Sequence, residues 1–234
     1  MHINPLHSWA VSPDEAIRIQ NRLRKLVRPE NDPTLDRVST VAGVDVSFHQ
    51  DQCQAAVVVL SYPHLEPVDR CVVCRPVTFP YIPGLLAFRE GPAVLDAFAA
   101  LKIPPDLIIF DGQGLAHPRR LGIASHIGVL LDRPSIGCAK SRLCGQHQEP
   151  GPAAGSTAPL WDNGELIGRV VRTRDGTAPV YVSVGHRVDL DTAVQWVLAC
   201  CRGHRLPETT RWAHRVAGEW APPSETLPQQ LSLF

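Results

Sequence analysis

Residues Val41–Phe48 read VAGVDVSF, a run in which apolar side chains alternate with small or polar ones. Val44 and Val46 fall on one face of a strand, because successive side chains in a strand point to opposite faces. Two further segments, Ala55–Tyr62 and Val68–Phe79, are rich in β-branched residues and follow after short turn-bearing stretches. This spacing predicts an antiparallel meander of three strands.

Helix and strand patterns flank this meander. A helix is predicted to begin at Ser12, where Ser12-Pro13-Asp14-Glu15 has the residue types of a capping box. Further helices are predicted at Phe88–Leu101, Leu121–Leu131, Asp189–Cys201 and Pro207–Ala217, and strands at Leu107–Phe110, Pro134–Ala139, Leu166–Thr173 and Val180–Val184. Three antiparallel strands followed by α/β units predict an α/β fold, a mixed β-sheet flanked by helices.

The composition is that of an ordinary globular chain. The 234 residues include 23 Lys and Arg against 23 Asp and Glu, and 44% are hydrophobic, which excludes a largely disordered chain and a coiled coil. The apolar runs are too short for a membrane helix, and Met1–Ala10 lacks the pattern of a signal peptide. We therefore expect a cytoplasmic protein without a membrane partner.

The cysteine pattern leaves a zinc or redox function open as an alternative. Cys71 and Cys74 have C-x-x-C spacing, but no second such pair follows among the seven cysteines. Reduced, mostly buried thiols are the better interpretation in a cytosolic protein.

Two aspartates stand out in the strand patterns. Asp45 interrupts an apolar strand, where a carboxylate is disfavoured unless it has a partner. Asp111 ends the apolar run Leu107–Phe110 and precedes Gly112-Gln113-Gly114, a place where α/β folds position functional groups. An ion pair and a turn aspartate are the plain alternatives, but two such carboxylates on neighbouring strands favour a Mg²⁺ or Mn²⁺ site.

Two other segments are consistent with a phosphodiester substrate. Residues Pro80–Glu90 read PYIPGLLAFRE, a proline-stiffened loop with a tyrosine that could enter stacked bases or simply pack on the core. Residues Leu115–Gly145 hold five basic side chains against a single acidic one, in an otherwise neutral chain. Such a local positive surface beside carboxylates suits nucleic acid, whereas His117, His126 and His214 could each be purely structural.

Taken together, these stretches resemble the endonuclease V family of deoxyinosine-directed repair nucleases. The matching segments are VAGVDVSF, PYIPGLLAFRE, DGQGLAHPRRLGIASHIGVLLDRPSIGCAKSRLCG from Asp111 to Gly145, GHRVDLDTAV from Gly185, and LPETTRWAHR from Leu206. They occur in order over most of the chain. The resemblance implies an RNase H-like fold and a catalytic domain over residues 1–220.

The resemblance also implies roles for individual residues. It implies a metal site formed by Asp45, Glu90, Asp111 and His214, with Lys140 as a further catalytic residue near the scissile strand. It implies DNA contacts by Tyr81, Pro83, Gly84, Leu86, Gly112, His117, Ile123 and Lys140. Tyr81 and Pro83 would form a wedge, and Gly84 and the Gly112 region would line the pocket for a flipped hypoxanthine. Gln113 stands where some relatives have histidine.

The implied reaction is hydrolysis of the second phosphodiester 3′ to deoxyinosine in double-stranded DNA, leaving a 3′-hydroxyl and a 5′-phosphate. The implied cofactor is Mg²⁺, with Mn²⁺ as a substitute. An inosine-directed ribonuclease and a non-catalytic lesion-binding factor are the alternatives, although a pure binder has no need of the acidic set.

Two proline-bearing segments resemble linkers: Glu149–Pro159 and the tail after Trp220. The tail ends in QLSLF, which resembles the bacterial sliding-clamp-binding pentapeptide. Residues 221–234 are therefore predicted to form a flexible tether carrying a clamp-binding motif of Gln230, Leu231, Leu233 and Phe234.

Overall fold

The computed structural model describes residues 1–219, and eight strands of this part form one mixed sheet. The strands are β1 (Thr40–His49), β2 (Gln52–Ser61), β3 (Pro67–Pro76), β4 (Leu107–Phe110), β5 (Ser135–Ala139), β6 (Thr157–Asp162), β7 (Glu165–Val171) and β8 (Val180–His186). Their order is β3-β2-β1-β4-β5-β8-β7-β6. The predicted antiparallel meander of β1, β2 and β3 is confirmed, and β4 pairs with β1 and β5 in parallel.

Five α-helices of the described part cover both faces of the sheet. They are α1 (Pro13–Leu23), α2 (Leu86–Ala100), α3 (Ile123–Leu131), α4 (Leu190–Ala199) and α5 (Glu208–Gly218). One core forms where α2 and α3 bury Phe98 and Ile127 against one face, and a second where α4 and α5 bury Val197 and Val216 against the other. The predicted α/β fold, a mixed sheet with helices on its faces, is confirmed.

The first helix begins where its capping residues predict. Ser12 accepts a hydrogen bond from the backbone N–H of Glu15, and Pro13 occupies the first helical position. The second hydrogen bond of a capping box, from the backbone N–H of Ser12 to the Glu15 side chain, is not among the observed contacts of residues 1–219. The Glu15 carboxylate binds Arg18 instead, at 2.7 Å. After the helix, Leu26 lies in a short 3-10 turn and is 48% exposed.

One predicted linker contains a strand. Residues Glu149–Pro159 were expected to be irregular, but β6 begins at Thr157 and pairs with β7. Pro159 is tolerated because β6 is the last strand of the sheet, where one side of the backbone needs no partner. The other differences are shifts of element ends, such as α2 beginning at Leu86 rather than Phe88.

The topology brings distant residues to one end of the sheet. Val44 of β1 is in register with Phe110 of β4, so Asp45 and Asp111 are the next residues along two parallel neighbours. The fifth helix lies directly on β1, because a Cβ at Gly43 would overlap the backbone of Thr209. That close approach sets His214, one turn further along α5, beside β1.

No helix within residues 1–219 is long and apolar enough to cross a membrane. All seven cysteines lie within residues 1–219, four of them are buried, and none of the seven belongs to a disulfide. Cys71 and Cys74 both lie on β3, where residues three apart point to opposite faces, so the C-x-x-C spacing does not form a chelating pair.

Candidate active site

Asp45 and Asp111 each contact a side chain from a remote part of the chain. The Oδ2 atom of Asp45 accepts a hydrogen bond from Nδ1 of His214 at 2.7 Å. The carboxylate of Asp111 forms an ion pair with the ammonium of Lys140, which follows β5. Burial raises the pKa of Asp111, and the hydrogen bond and charge of Lys140 oppose that rise.

Glu90 lies on α2 and belongs electrostatically to the same group. Burial, together with the negative charges of Asp45 and Asp111, raises the pKa of Glu90 to about 8. Arg89 opposes the shift, but its guanidinium lies over the ring of Phe48 and donates to the carbonyl of Phe79. The three predicted carboxylates therefore share one region and repel one another there.

The three carboxylates suit a hard divalent cation by their chemistry, although their side chains are not arranged as a preformed metal site. Within residues 1–219, no three His, Cys, Asp or Glu side chains lie close enough together to hold a metal. Asp111 is paired with Lys140, and Asp45 is hydrogen-bonded to His214. Carboxylate oxygens are the ligands that Mg²⁺ prefers, so the residues fit such an ion in their chemistry.

A cavity of about 370 Å³ opens beside Asp111. This is within the size range of small-molecule pockets, about 300–1,000 Å³. All eight residues predicted to contact DNA line it, together with Asp111: Tyr81, Pro83, Gly84, Leu86, Gly112, His117, Ile123 and Lys140. The loop between β3 and α2, the segment after β4 and the segment after β5 thus meet around one space.

The tip of the loop between β3 and α2 projects into solvent. The side chain of Tyr81 is 71% exposed, the largest exposure among the large hydrophobic residues of the described part. Leu85, four residues later, is almost fully buried and packs with Phe79 and Phe88. The loop is therefore anchored at both ends and presents an aromatic ring at its tip.

His117 lines the cavity but has no free ring nitrogen. Its Nδ1 accepts from the backbone N–H of Arg119 at 3.1 Å, and its Nε2 donates to the carbonyl of Gly84 at 3.0 Å. Burial and the charge of Arg119 lower the pKa of His117 to about 4, so the ring is neutral at pH 7. The histidine holds the cavity wall in the structure, and a direct DNA contact would have to break one of these bonds.

The basic segment is less positive than its composition predicts. Arg120 is largely buried and forms ion pairs with Asp162 at 2.9 Å and Glu165 at 2.7 Å. Arg142 lines the cavity and is exposed, whereas Arg119 binds neutral partners around Gly84. Fewer than five of the basic side chains of residues 115–145 therefore face the cavity.

His126 is structural, in line with the plain alternative. It is fully buried, and its Nε2 lies 2.7 Å from Nε2 of His7 in a cluster of rings that includes Trp9 and Phe88. The cluster fastens the N-terminal segment to α2 and α3.

Two polar residues of the cavity wall received no role from the sequence. Gln113 is nine-tenths buried and donates to the carbonyl of Ser141 at 2.9 Å, which ties the Asp111 segment to the one that carries Lys140. Gln20 of α1, which is far away in the sequence, also lines the cavity. The glycine-flanked position of Gln113 was a usable signal, but nothing distinguishes Gln20 within an amphipathic helix.

The strand order, with Asp45 within β1 and Asp111 directly after β4, places the chain in the RNase H-like class. The Endonuclease V family profile matches residues 21–215. A curated Endonuclease V of Rippkaea orientalis is 52% identical over 219 residues, which cover 93% of this chain and 95% of that protein. The chain belongs to the Endonuclease V family.

Solved structures agree with this assignment. The crystal structure of the Endonuclease V of Streptomyces avermitilis has a TM-score of 0.84 and 43% identity, covering 93% of this chain and 96% of that one. The Endonuclease V of Ciona intestinalis was solved in complex with a 24mer DNA containing an inosine followed by a ribo-adenosine. It has a TM-score of 0.76 and 28% identity, covering 88% of this chain and 96% of that one.

Proposed function

We propose that this nuclease repairs DNA by recognising deoxyinosine and hydrolysing the second phosphodiester on its 3′ side. The products would be a 3′-hydroxyl and a 5′-phosphate, with the lesion left in the nicked strand. The observation that carries the proposal is the single cavity that adjoins Asp111 and is lined by all eight predicted DNA-binding residues. The inosine-containing DNA bound by the Ciona relative supports the same substrate class.

Asp45, Glu90, Asp111 and His214 would hold Mg²⁺, with Mn²⁺ able to replace it. The ion would polarise the phosphate and lower the pKa of the attacking water. The raised pKa of Glu90 supports this assignment, because burial and the negative charges of Asp45 and Asp111 disfavour its ionised form, and a bound divalent cation would offset that cost.

Lys140 is proposed to act on the phosphate itself. Its ammonium lies against Asp111 at the rim of the cavity, so a phosphate bound there would meet a positive charge beside the acidic group. Charge that builds up on the phosphate oxygens during hydrolysis is stabilised by such a preplaced cation.

Tyr81 and Pro83 would enter the duplex beside the lesion, and the cavity would take the extruded base. A deaminated pair is weaker than a normal one, which lowers the cost of flipping. Hypoxanthine differs from adenine in having a carbonyl in place of an amine. Backbone N–H groups around Gly84 and Gly112 would donate to that oxygen, whereas an amino group would offer them a second donor instead of an acceptor.

Cleavage-site mapping tests this proposal. A duplex with one deoxyinosine and an end label is incubated with the protein and Mg²⁺, beside an undamaged duplex of the same sequence. We expect one nick, at the second phosphodiester 3′ to the lesion, and no product with Asp45→Asn or Asp111→Asn. Cleavage elsewhere, equal cleavage of both duplexes, or full activity of either variant would contradict the proposal.

Inosine-containing RNA is a second candidate substrate. The DNA bound by the Ciona relative carries a ribonucleotide directly after the inosine, which is the observation that favours testing RNA here. Relative turnover on matched RNA and DNA strands distinguishes the two activities.

The C-terminal tail is proposed to tether this activity to the sliding clamp through Gln230, Leu231, Leu233 and Phe234. These residues, and the predicted boundary after residue 220, lie outside the described residues 1–219. The full chain should bind purified clamp, and a Leu233→Ala, Phe234→Ala double variant should not, while nicking a short duplex at the wild-type rate. If the wild type and the double variant bound the clamp equally, the four motif residues would not be the clamp-binding site.

A further inference from the structure

Three side-chain donors converge on one backbone oxygen, the carbonyl of Gly84 in the loop between β3 and α2. Gln20 donates to it through Nε2 at 2.9 Å, His117 through Nε2 at 3.0 Å, and Arg119 through Nη2 at 2.7 Å. A carbonyl oxygen has two lone pairs, so three donors saturate it. Gly84 is three residues from the exposed ring of Tyr81, and both line the cavity.

Gln20 joins this network to the rest of the chain. It is 1% exposed, and its Nε2 also donates to the carbonyl of Leu121 at 3.2 Å, while its Oε1 accepts from Nε of Arg119. Every bond that this side chain makes therefore reaches a segment that borders the cavity. A glutamine is suited to this position because it donates and accepts from one planar group.

The network carries a positive charge that no carboxylate neutralises. Among the ion pairs of residues 1–219, Arg119 has no acidic partner, and its guanidinium is held by Gln20 and Gly84 alone. Hydrogen bonds from a charged donor are stronger than those between neutral groups, so these contacts resist displacement. The charge also remains available to attract a phosphate backbone.

Gly84 has little freedom to take up another position. Its φ of +80° is in the left-handed region, and a Cβ there would lie 2.7 Å from Nη2 of Arg119. The loop is thus fixed by its own backbone conformation and by the side chains that close over it.

We propose that Gln20 is a positioning residue for lesion recognition, which holds Gly84 and, through it, the Tyr81 loop in the conformation that discriminates the damaged base. This inference rests on the proposed function. It adds Gln20 of α1, the residue directly before the segment matched by the family profile, residues 21–215. Gln20 acts through Gly84 and Arg119 and needs no contact with the substrate.

A purely structural role for Gln20 predicts a different result. If the side chain only stabilised α1, its loss would reduce the amount of folded enzyme, and turnover would fall while KM stayed constant. A loop that no longer holds its shape binds the lesion poorly but still cleaves it once bound, so KM would rise while kcat stayed nearly constant.

The test compares Gln20→Met and Gln20→Glu with Ser12→Ala in the full chain. Gln20→Met removes all the polar contacts, and Gln20→Glu keeps an acceptor for Arg119 but loses the donor to Gly84. Ser12→Ala removes the cap of the same helix without touching the network. Steady-state kinetics are measured on a deoxyinosine duplex that carries 2-aminopurine beside the lesion, whose fluorescence reports unstacking by the loop.

We expect both Gln20 variants to raise KM about tenfold, since each loses the hydrogen bond that Gln20 donates to the carbonyl of Gly84, and to change kcat less than about threefold. The 2-aminopurine signal should fall in both, whereas Ser12→Ala should match the wild type in KM and in signal. The proposal is overturned if either Gln20 variant keeps wild-type KM and signal, or if kcat alone falls. Failure of the wild type to prefer the deoxyinosine duplex would instead refute the proposed function.

Discussion

Nδ1 of His214 lies 2.7 Å from Oδ2 of Asp45, a hydrogen bond that spans 169 positions of sequence. The histidine is on the last helix and the aspartate is in the first strand, so this bond exists only when α5 lies correctly on the sheet. Nδ1 donates to the carboxylate, and the histidine side chain is 68% exposed. The pair therefore joins the folding of the C-terminal helix to the geometry of the acidic group.

Replacing His214 should reduce activity without unfolding the protein. His214→Gln is expected to lower kcat/KM on the deoxyinosine duplex by about 10–100-fold, because it removes a proposed metal contact and the hydrogen bond that orients the Asp45 carboxylate. His204→Gln, a change of an exposed histidine just before the same helix, serves as the matched control and should be silent. Equal kinetics for the two variants would show that the bond to Asp45 has no part in catalysis.

Lys140 should oppose metal binding even though it assists turnover. Its ammonium occupies the Asp111 carboxylate, so a divalent cation must compete for the same oxygens. Lys140→Gln is expected to bind Mg²⁺ more tightly, measured as a larger rise of Tm at a fixed Mg²⁺ concentration. The same variant should cleave about 100-fold more slowly, as on loss of one preorganised electrostatic contact. Weaker Mg²⁺ binding by Lys140→Gln than by the wild type would show that Lys140 and Mg²⁺ do not compete for the Asp111 carboxylate.

Tyr81 should contribute to lesion binding and not to stability. The ring is 71% exposed, so Tyr81→Ala removes almost no buried area and Tm should stay within about one degree. Affinity for the deoxyinosine duplex should fall about tenfold, which corresponds to the loss of one base-stacking contact. Ile103→Ala, which truncates another exposed hydrophobic side chain outside the cavity, is the control. A Tyr81 variant that binds as tightly as the control excludes the wedge.

A comparison of Gly84→Ala with Gly164→Ala distinguishes the effect of backbone strain from the effect of a steric clash. Both glycines have φ of +80°, but a Cβ at Gly164 meets nothing within 4 Å, whereas at Gly84 it meets Arg119. Each substitution should cost about 1–3 kcal/mol of stability from the left-handed conformation alone. Only Gly84→Ala should also weaken discrimination between deoxyinosine and undamaged duplexes, measured as the ratio of kcat/KM values.

His117 should make the protein less stable in mild acid. Its pKa is about 4 in the native state against an ordinary value of 6.5, so the unfolded chain binds more protons between these values. The stability it contributes is complete above pH 6.5 and is lost as the pH falls towards 4, by up to about 1.4 kcal/mol per pH unit. Urea denaturation from pH 7 to 4.5 should show a steeper loss for the wild type than for His117→Gln. Parallel curves would mean that the ring is not held neutral.

The two aspartates stood out in the local pattern because Asp45 interrupts an apolar strand and Asp111 follows one directly, ahead of two glycines. Glu90 and His214 were not, since a glutamate early in a helix and a single histidine on an amphipathic helix are common features with no functional meaning by themselves. Only the family resemblance placed them with the aspartates. Their electrostatic coupling and the bond to Asp45 are properties of the tertiary fold.

Other failures of prediction have equally local causes. The first three residues of β6 fell within the predicted linker Glu149–Pro159 because that segment is rich in proline and small residues, and only the position at the sheet edge makes a strand possible there. Gln20 was unremarkable because the sequence does not reveal that a polar position on α1 faces a backbone carbonyl 64 residues away. Patterns of hydrophobicity predict which elements form, whereas polar contacts between remote loops depend on how those elements pack.

The close approach of α5 to β1 at Gly43 bears on how this enzyme could acquire new substrates. Gly114 and Gly137 pack in the same way, since a Cβ at either would overlap main-chain atoms of a neighbouring segment. The acidic end of the sheet is therefore assembled backbone against backbone, with no spare volume for variation. Engineering of base preference has to work through the outer rim of the cavity, where Arg142 and Leu143 are exposed and can be exchanged without disturbing the layers beneath.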